Sequence, residues 1–234
     1  MASVPSRPSA VVCAAVAVCA ACAVLAPASA ARADDSMAPL HEDPAAAAPP
    51  PASERPTRRG GLTVGVEAGF GLASIVGYPN DLTKIGYAGY YTATGARPAG
   101  VVEGWVGTAI SDWLSFSLGA TASSLLASGG DKARSYGGMF HIEAFPLFAL
   151  GGHLRDLGVR VDAGLGFASV TDATGASLVD SSFGSLIGGG IFYEGIRAWK
   201  TAHGPFLMGN YVFTDTALRP AIFIGWRSVL YTRP

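Results

Sequence analysis

From Leu62 the chain alternates residue by residue. Leu62, Val64, Val66, Ala68, Phe70 and Leu72 fall on one parity, and Thr63, Gly65, Glu67, Gly69, Gly71 and Ala73 on the other. A period of two belongs to a strand, whose successive side chains point to opposite faces. The pattern returns at Leu114, Phe116, Leu118, Ala120 and Ala122, set against Ser115, Ser117, Gly119, Thr121 and Ser123. It returns again at Leu157, Val159, Val161, Ala163, Leu165 and Phe167, set against Gly158, Arg160, Asp162, Gly164 and Gly166. Weaker versions over 100–110, 138–148, 183–194, 205–213 and 219–230 bring the number of segments to eight. Each is about ten residues long, the length of a tilted strand that spans a bilayer.

Composition decides which face points where. Charged residues make up 14% of the 234, against about 25% in an ordinary soluble domain. The polar parity carries glycine, alanine and serine with roughly one charge per segment, too little for a water-facing surface. Small residues with sparse charges suit the crowded interior of a narrow barrel, and bulky aliphatics suit lipid. No run of 18 apolar residues occurs, so helical spanning is out. The spacing therefore predicts an all-β fold: a closed, antiparallel, up-and-down transmembrane β-barrel of about eight strands. Short links at Ser111-Asp112, Gly151–Asp156 and Gly195–His203 alternate with longer ones at 74–99, 124–137 and 169–182.

The N-terminal segments are different. Residues 1–30 have the form of a secretory signal peptide: Arg7, an uncharged run from Ala10 to Leu25, and small residues for cleavage between Ala30 and Ala33. Residues 31–60 are rich in proline and alanine, which predicts a disordered tether. The barrel is assigned to 61–234. Cys13, Cys19 and Cys22 all lie in the leader, so the mature chain has no thiol for a disulfide or a thiolate metal site. A net charge of −1 argues against nucleic acid as a partner.

The segments Gly65-Val66-Glu67-Ala68-Gly69-Phe70-Gly71 and Val161-Asp162-Ala163-Gly164-Leu165-Gly166-Phe167, behind such a leader, resemble the small eight-stranded outer-membrane β-barrel proteins of Gram-negative bacteria. The resemblance implies outer-membrane location, periplasmic termini, insertion by the barrel assembly machinery, and contact with outer-membrane lipid and lipopolysaccharide. That family usually ends its last strand on an aromatic residue, whereas this chain runs Leu230-Tyr231-Thr232-Arg233-Pro234. It includes structural barrels, narrow pores, adhesins and lipid-modifying enzymes, so it implies no single activity.

The inward parity collects Glu67, Glu103, His141, Glu143, Arg160, Asp162, Glu194, Arg219 and Arg227. Neighbouring strands predict the ion pairs Glu67–Arg227 and Glu143–Arg160, within a charge network that plugs the lumen. His141-x-Glu143 with Asp162 provides three metal-type ligands without a fourth, so neither a metal nor a cofactor is expected. No Gly-x-Ser-x-Gly elbow, P-loop or dinucleotide fingerprint is present, and no catalytic residue is assigned. Trp113, Phe148, Tyr193, Trp199 and Tyr231 are expected in a periplasmic aromatic belt. Tyr78, Tyr87, Tyr90 and Tyr91 crowd one long connection and are candidates for contact with an extracellular partner. The expected function is a structural or surface-binding barrel with a plugged lumen. The alternatives are a narrow pore for small polar solutes or protons, and a lipid-modifying barrel enzyme.

Overall fold

The computed structural model describes residues 58–126 and 130–233. The predicted signal peptide and nearly all of the predicted tether lie outside these residues. Eight long strands carry the fold: β1 (Gly61–Ala73), β2 (Arg97–Ser111), β3 (Leu114–Leu125), β4 (Lys132–Ala144), β5 (Leu157–Thr171), β6 (Gly184–Tyr193), β7 (Thr201–Phe213) and β8 (Ala217–Tyr231). Each pairs antiparallel with the next. Strand β8 then returns to β1, from Thr63 opposite Tyr231 to Ala73 opposite Ala221. The sheet is closed and has no edge to satisfy in hydrocarbon.

The two faces are inverted relative to a soluble domain. Phe70 is 72% exposed, Phe140 67% and Leu165 60%, whereas Glu67, Arg160 and Arg227 are at most 2% exposed. Exposed aliphatics around a buried charged interior mark a surface made for lipid. Inward glycines make room for the few large rings inside. A Cβ at Gly65 would run into the Trp105 indole, and one at Gly158 into the Phe192 ring.

Several boundaries differ from the sequence expectation. Strand β4 begins at Lys132, so the β3–β4 connection shrinks to 126–131. Strand β7 begins at Thr201, which puts His203 in a strand rather than a turn. Short strands extend the hairpins at the loop end: Val76–Gly77 pairs with Thr92–Ala93 and with Ala217–Leu218, and Ser177–Asp180 pairs with β5. In the expected aromatic belt, Trp113 and Trp199 are exposed, but Tyr231 is only 1% exposed. Its parity turns it inward, because β8 runs on to Tyr231 opposite Thr63 and both residues face the lumen. Phe148 also leaves the belt and packs against buried apolar residues.

Val161 stands on the lipid face of β5. Val161→Arg is expected to cost about 2–4 kcal/mol, read as a shifted midpoint in denaturant-dependent refolding into vesicles. Gly89→Arg is the neutral control, because a Cβ there meets nothing within 4 Å. Gly61 is unsuitable, since its φ is +71° and a Cβ would meet the Thr232 hydroxyl at 2.5 Å.

Candidate functional site

Every lumen residue expected from parity is buried: Glu67, Glu103, His141, Glu143, Arg160, Asp162, Arg219 and Arg227, with Glu194 just beyond β6. Their partners are not the expected ones. Glu67 lies opposite Arg227 in the β1–β8 register, and Glu143 opposite Arg160 in the β4–β5 register. Yet Arg160 reaches across the lumen to Glu67 and Glu103, and along its own strand to Asp162 at 2.8–2.9 Å. Arg227 crosses to Glu143 and lies 3.1 Å from Glu194. The lumen is narrow enough for a guanidinium to choose among several walls, so height matters more than strand adjacency.

His141 ties the two arginine clusters together. Its Nδ1 lies 2.6 Å from Asp162 and its Nε2 lies 2.8 Å from Glu143. The ring thereby bridges the Asp162 and Glu143 carboxyl groups. The ring stacks on Trp105 at 4.7 Å, and Arg227 lies over Phe192 at 3.7 Å.

The network continues to the end of the barrel where Arg58 and Arg233 lie, through residues the sequence reasoning missed. The backbone N–H groups of Arg58 and Arg59 both donate to Asp112 Oδ1, at 2.6 and 2.8 Å. Asp112 thereby turns the Arg59 side chain into the mouth. There it donates to Asp156 at 2.8 Å and Glu194 at 3.3 Å, over the Phe145 ring at 3.4 Å. Tyr231 closes the same cluster by donating its hydroxyl to Glu194 at 2.9 Å. Arg58 and Arg59 fall within the segment that the sequence assigns to the tether. The available signal was a pair of cations directly before the first alternating segment. Arg219, nearer the loop end, is 2% exposed and binds Asn210 and Ser123 instead of a carboxylate.

The tyrosines divide. Tyr78 is half-buried at the rim, its N–H donating to the Thr216 carbonyl at 2.8 Å and its ring edge-on to Tyr91 at 5.3 Å. Tyr87, Tyr90 and Tyr91 are 49–65% exposed. The loop before them is knotted by Asp81, which accepts from the Thr83 hydroxyl at 2.7 Å and the Thr83 N–H at 3.0 Å, and pairs with Lys84 at 3.0 Å. These hydrogen bonds, led by the Thr83 hydroxyl, hold the Asp81 carboxyl down to about 2.

His203 and Ser228 form a second polar pair, at 2.9 Å on the outer face near the termini. The other His203 nitrogen meets Thr201 at 3.0 Å rather than a carboxylate. The nearby strand N–H groups belong to the β7–β8 ladder, which leaves no pair of donors to stabilise an oxyanion.

No family model and no curated protein matches the chain. Solved structures do. Neisserial surface protein A is similar at 14% identity and TM-score 0.47, with 73% of this chain and 99% of that one covered. Ail, the attachment invasion locus protein of Yersinia pestis, is similar at 8% identity and TM-score 0.48, covering 72% and 98%. OprG, an outer-membrane protein of Pseudomonas aeruginosa, is similar at 9% identity and TM-score 0.39, covering 74% and 98%. These are likenesses of architecture. Closure of the present barrel rests on its own strand pairings.

Two outcomes follow from the geometry. Arg160→Met leaves Glu67, Glu103 and Asp162 without their shared cation and is expected to cost about 3–5 kcal/mol. Arg219→Met strands no carboxylate and is expected to cost clearly less in the same unfolding assay. For the loop, ionised Asp81 favours the folded knot above its ordinary value near about 3.9. That contribution is lost as the pH falls through about 2. A carboxyl NMR titration should place the Asp81 midpoint at about 2 rather than at about 4.

Proposed function

We propose that the protein is an outer-membrane β-barrel with a closed lumen, that its termini are periplasmic, and that it serves a structural or surface-binding role without catalysis. The observation that carries this proposal is the set of buried cations crossing the lumen: Arg160, Arg227 and, at the mouth, Arg59. Each is fastened to carboxylates from more than one strand or turn, so opening a path means parting several buried ion pairs at once. With the lumen occupied, the surface offered to a partner outside the membrane is the loop end, where Tyr87, Tyr90 and Tyr91 present stiff amphipathic area on a rigid support.

A second reading rests on the unpartnered buried atoms Thr63 Oγ1, Glu67 Oε2, Trp105 Nε1 and Ser117 Oγ. Water bound to them would give protons a relay without giving ions a pore. Planar-bilayer recording and proton flux into dye-loaded vesicles separate the two. The closed barrel gives no steady conductance steps and no proton leak above that of empty vesicles. A leak abolished by Glu67→Gln establishes the relay, and stable ion conductance in the unaltered protein overturns the closed-lumen proposal. Replacing Tyr87, Tyr90 and Tyr91 by Ser is expected to leave the heat-shift on gels unchanged, since none lies in a barrel strand. Failure of that variant to assemble would place the rings in the barrel wall instead.

A further inference from the structure

We propose that the lipid-facing surface of β2–β4 binds one anionic, phosphate-bearing acyl lipid from the leaflet at the loop end. Its phosphate sits on Lys132 and Arg134, and an acyl chain lies in the groove beneath them. The proposal rests on the membrane reading above and adds a specific site and ligand class to it.

The basic pair comes first. Lys132 and Arg134 share the outward parity of β4 and are both exposed. Among the described residues, neither takes part in an ion pair. Hydroxyl residues flank them in register: Ser124 and Ser169 opposite Arg134, and Thr171 opposite Lys132. The carboxylates nearest in register and sequence are Asp131; Asp180, opposite Ser169; and Asp172, which follows Thr171 and accepts from Thr174 and Ala176 in its own turn. From Arg134 the strand runs to Ala144 at the other end. At about 3.3 Å per residue and a tilt of about 40°, that length spans about 25 Å along the membrane normal. This equals the height of the apolar band of such a barrel, so Arg134 stands at headgroup level.

Directly below lies a groove of about 500 Å³. Its floor is Gly104, Ala120 and Gly138, adjacent across β2, β3 and β4. Its wall toward the basic pair is Tyr136, Phe167 and Phe183, with rings 5.2 and 5.7 Å apart in sequence. Tyr136 shares its face with Arg134, two residues along β4, so headgroup site and groove are continuous.

The interior does not impose this hollow. A Cβ at Gly138 would meet only the Gly119 carbonyl oxygen, at 4.0 Å, and one at Gly104 only that of Gly65, at 3.8 Å. Larger residues would fit, as Leu118 and Phe140 do on the same surface. An apolar trough beneath two unpaired cations and a row of hydroxyls matches an acyl chain tied to a phosphate. A zwitterionic lipid would bring its own cation against Lys132 and Arg134.

The test is native mass spectrometry of the folded barrel in zwitterionic detergent, titrated with phosphatidylglycerol, phosphatidylcholine or inorganic phosphate. The unaltered protein should hold one phosphatidylglycerol about tenfold more tightly than phosphatidylcholine. Lys132→Gln with Arg134→Gln should remove that preference. Gly138→Leu should weaken the adduct about tenfold by filling the trough, with Ala120→Leu as the substitute if that variant does not fold. Gly209→Leu, on the lipid face away from any basic residue, should change nothing. Equal affinity for the two lipids, or full displacement by inorganic phosphate, overturns the proposal. Binding undiminished in both the charge and the trough variants also overturns it. Loss of heat-shift behaviour in the unaltered protein signals failure of the membrane reading instead.

Discussion

A charge inside a narrow barrel must find a countercharge, and Arg160 is where that requirement is most severe. Its guanidinium is fully enclosed and faces Glu67 from β1, Glu103 from β2 and Asp162 from β5. Three carboxylates from three strands could not share so small a volume without it. The cation therefore sets the spacing of walls that are otherwise joined only through the sheet. His141 passes the constraint on, since its two ring nitrogens meet one carboxyl group from each arginine cluster. Arg227 and Arg59 extend the alternation of charge to the mouth.

This arrangement explains the division of labour between the two faces. Glycine and serine dominate the inward parity because a few large groups take the available space: the Trp105 and Phe192 rings and the arginine side chains. The outward parity is free of that crowding and is aliphatic because lipid surrounds it. Where small residues appear outside, as at Gly104 and Gly138, no interior contact explains them. The loop end follows a third logic. Its short strands and the Asp81 knot continue the hairpins beyond the barrel and hold the exposed tyrosines clear of the wall.

The barrel, its strand count and the side chains of its lumen were legible from alternation and composition, because parity in a strand dictates the face. Lys132 and Arg134 are hidden in the sequence because they follow the turn-like Gly129-Gly130-Asp131 and put charge where lipid-facing aliphatics are expected. Tyr231 was read as a belt residue because its aromatic character outweighed its inward parity. Arg59 escaped because it precedes the periodic segments, and the Asp112 carboxylate that turns it inward belongs to a distant turn.

From the sequence alone came most of what is local to one strand: which residues of the periodic segments face lipid, which face the lumen, and where charge is rare enough to matter. Tertiary structure alone decided which charges meet. Pairing across a lumen depends on the stagger of eight strands around a closed sheet, and stagger is a property of all the pairings together. Glu67 therefore found Arg160 rather than its ladder neighbour Arg227, and Glu143 took Arg227 rather than Arg160. A long guanidinium in a narrow tube binds the carboxylates at its own height, and only the closed barrel defines that height.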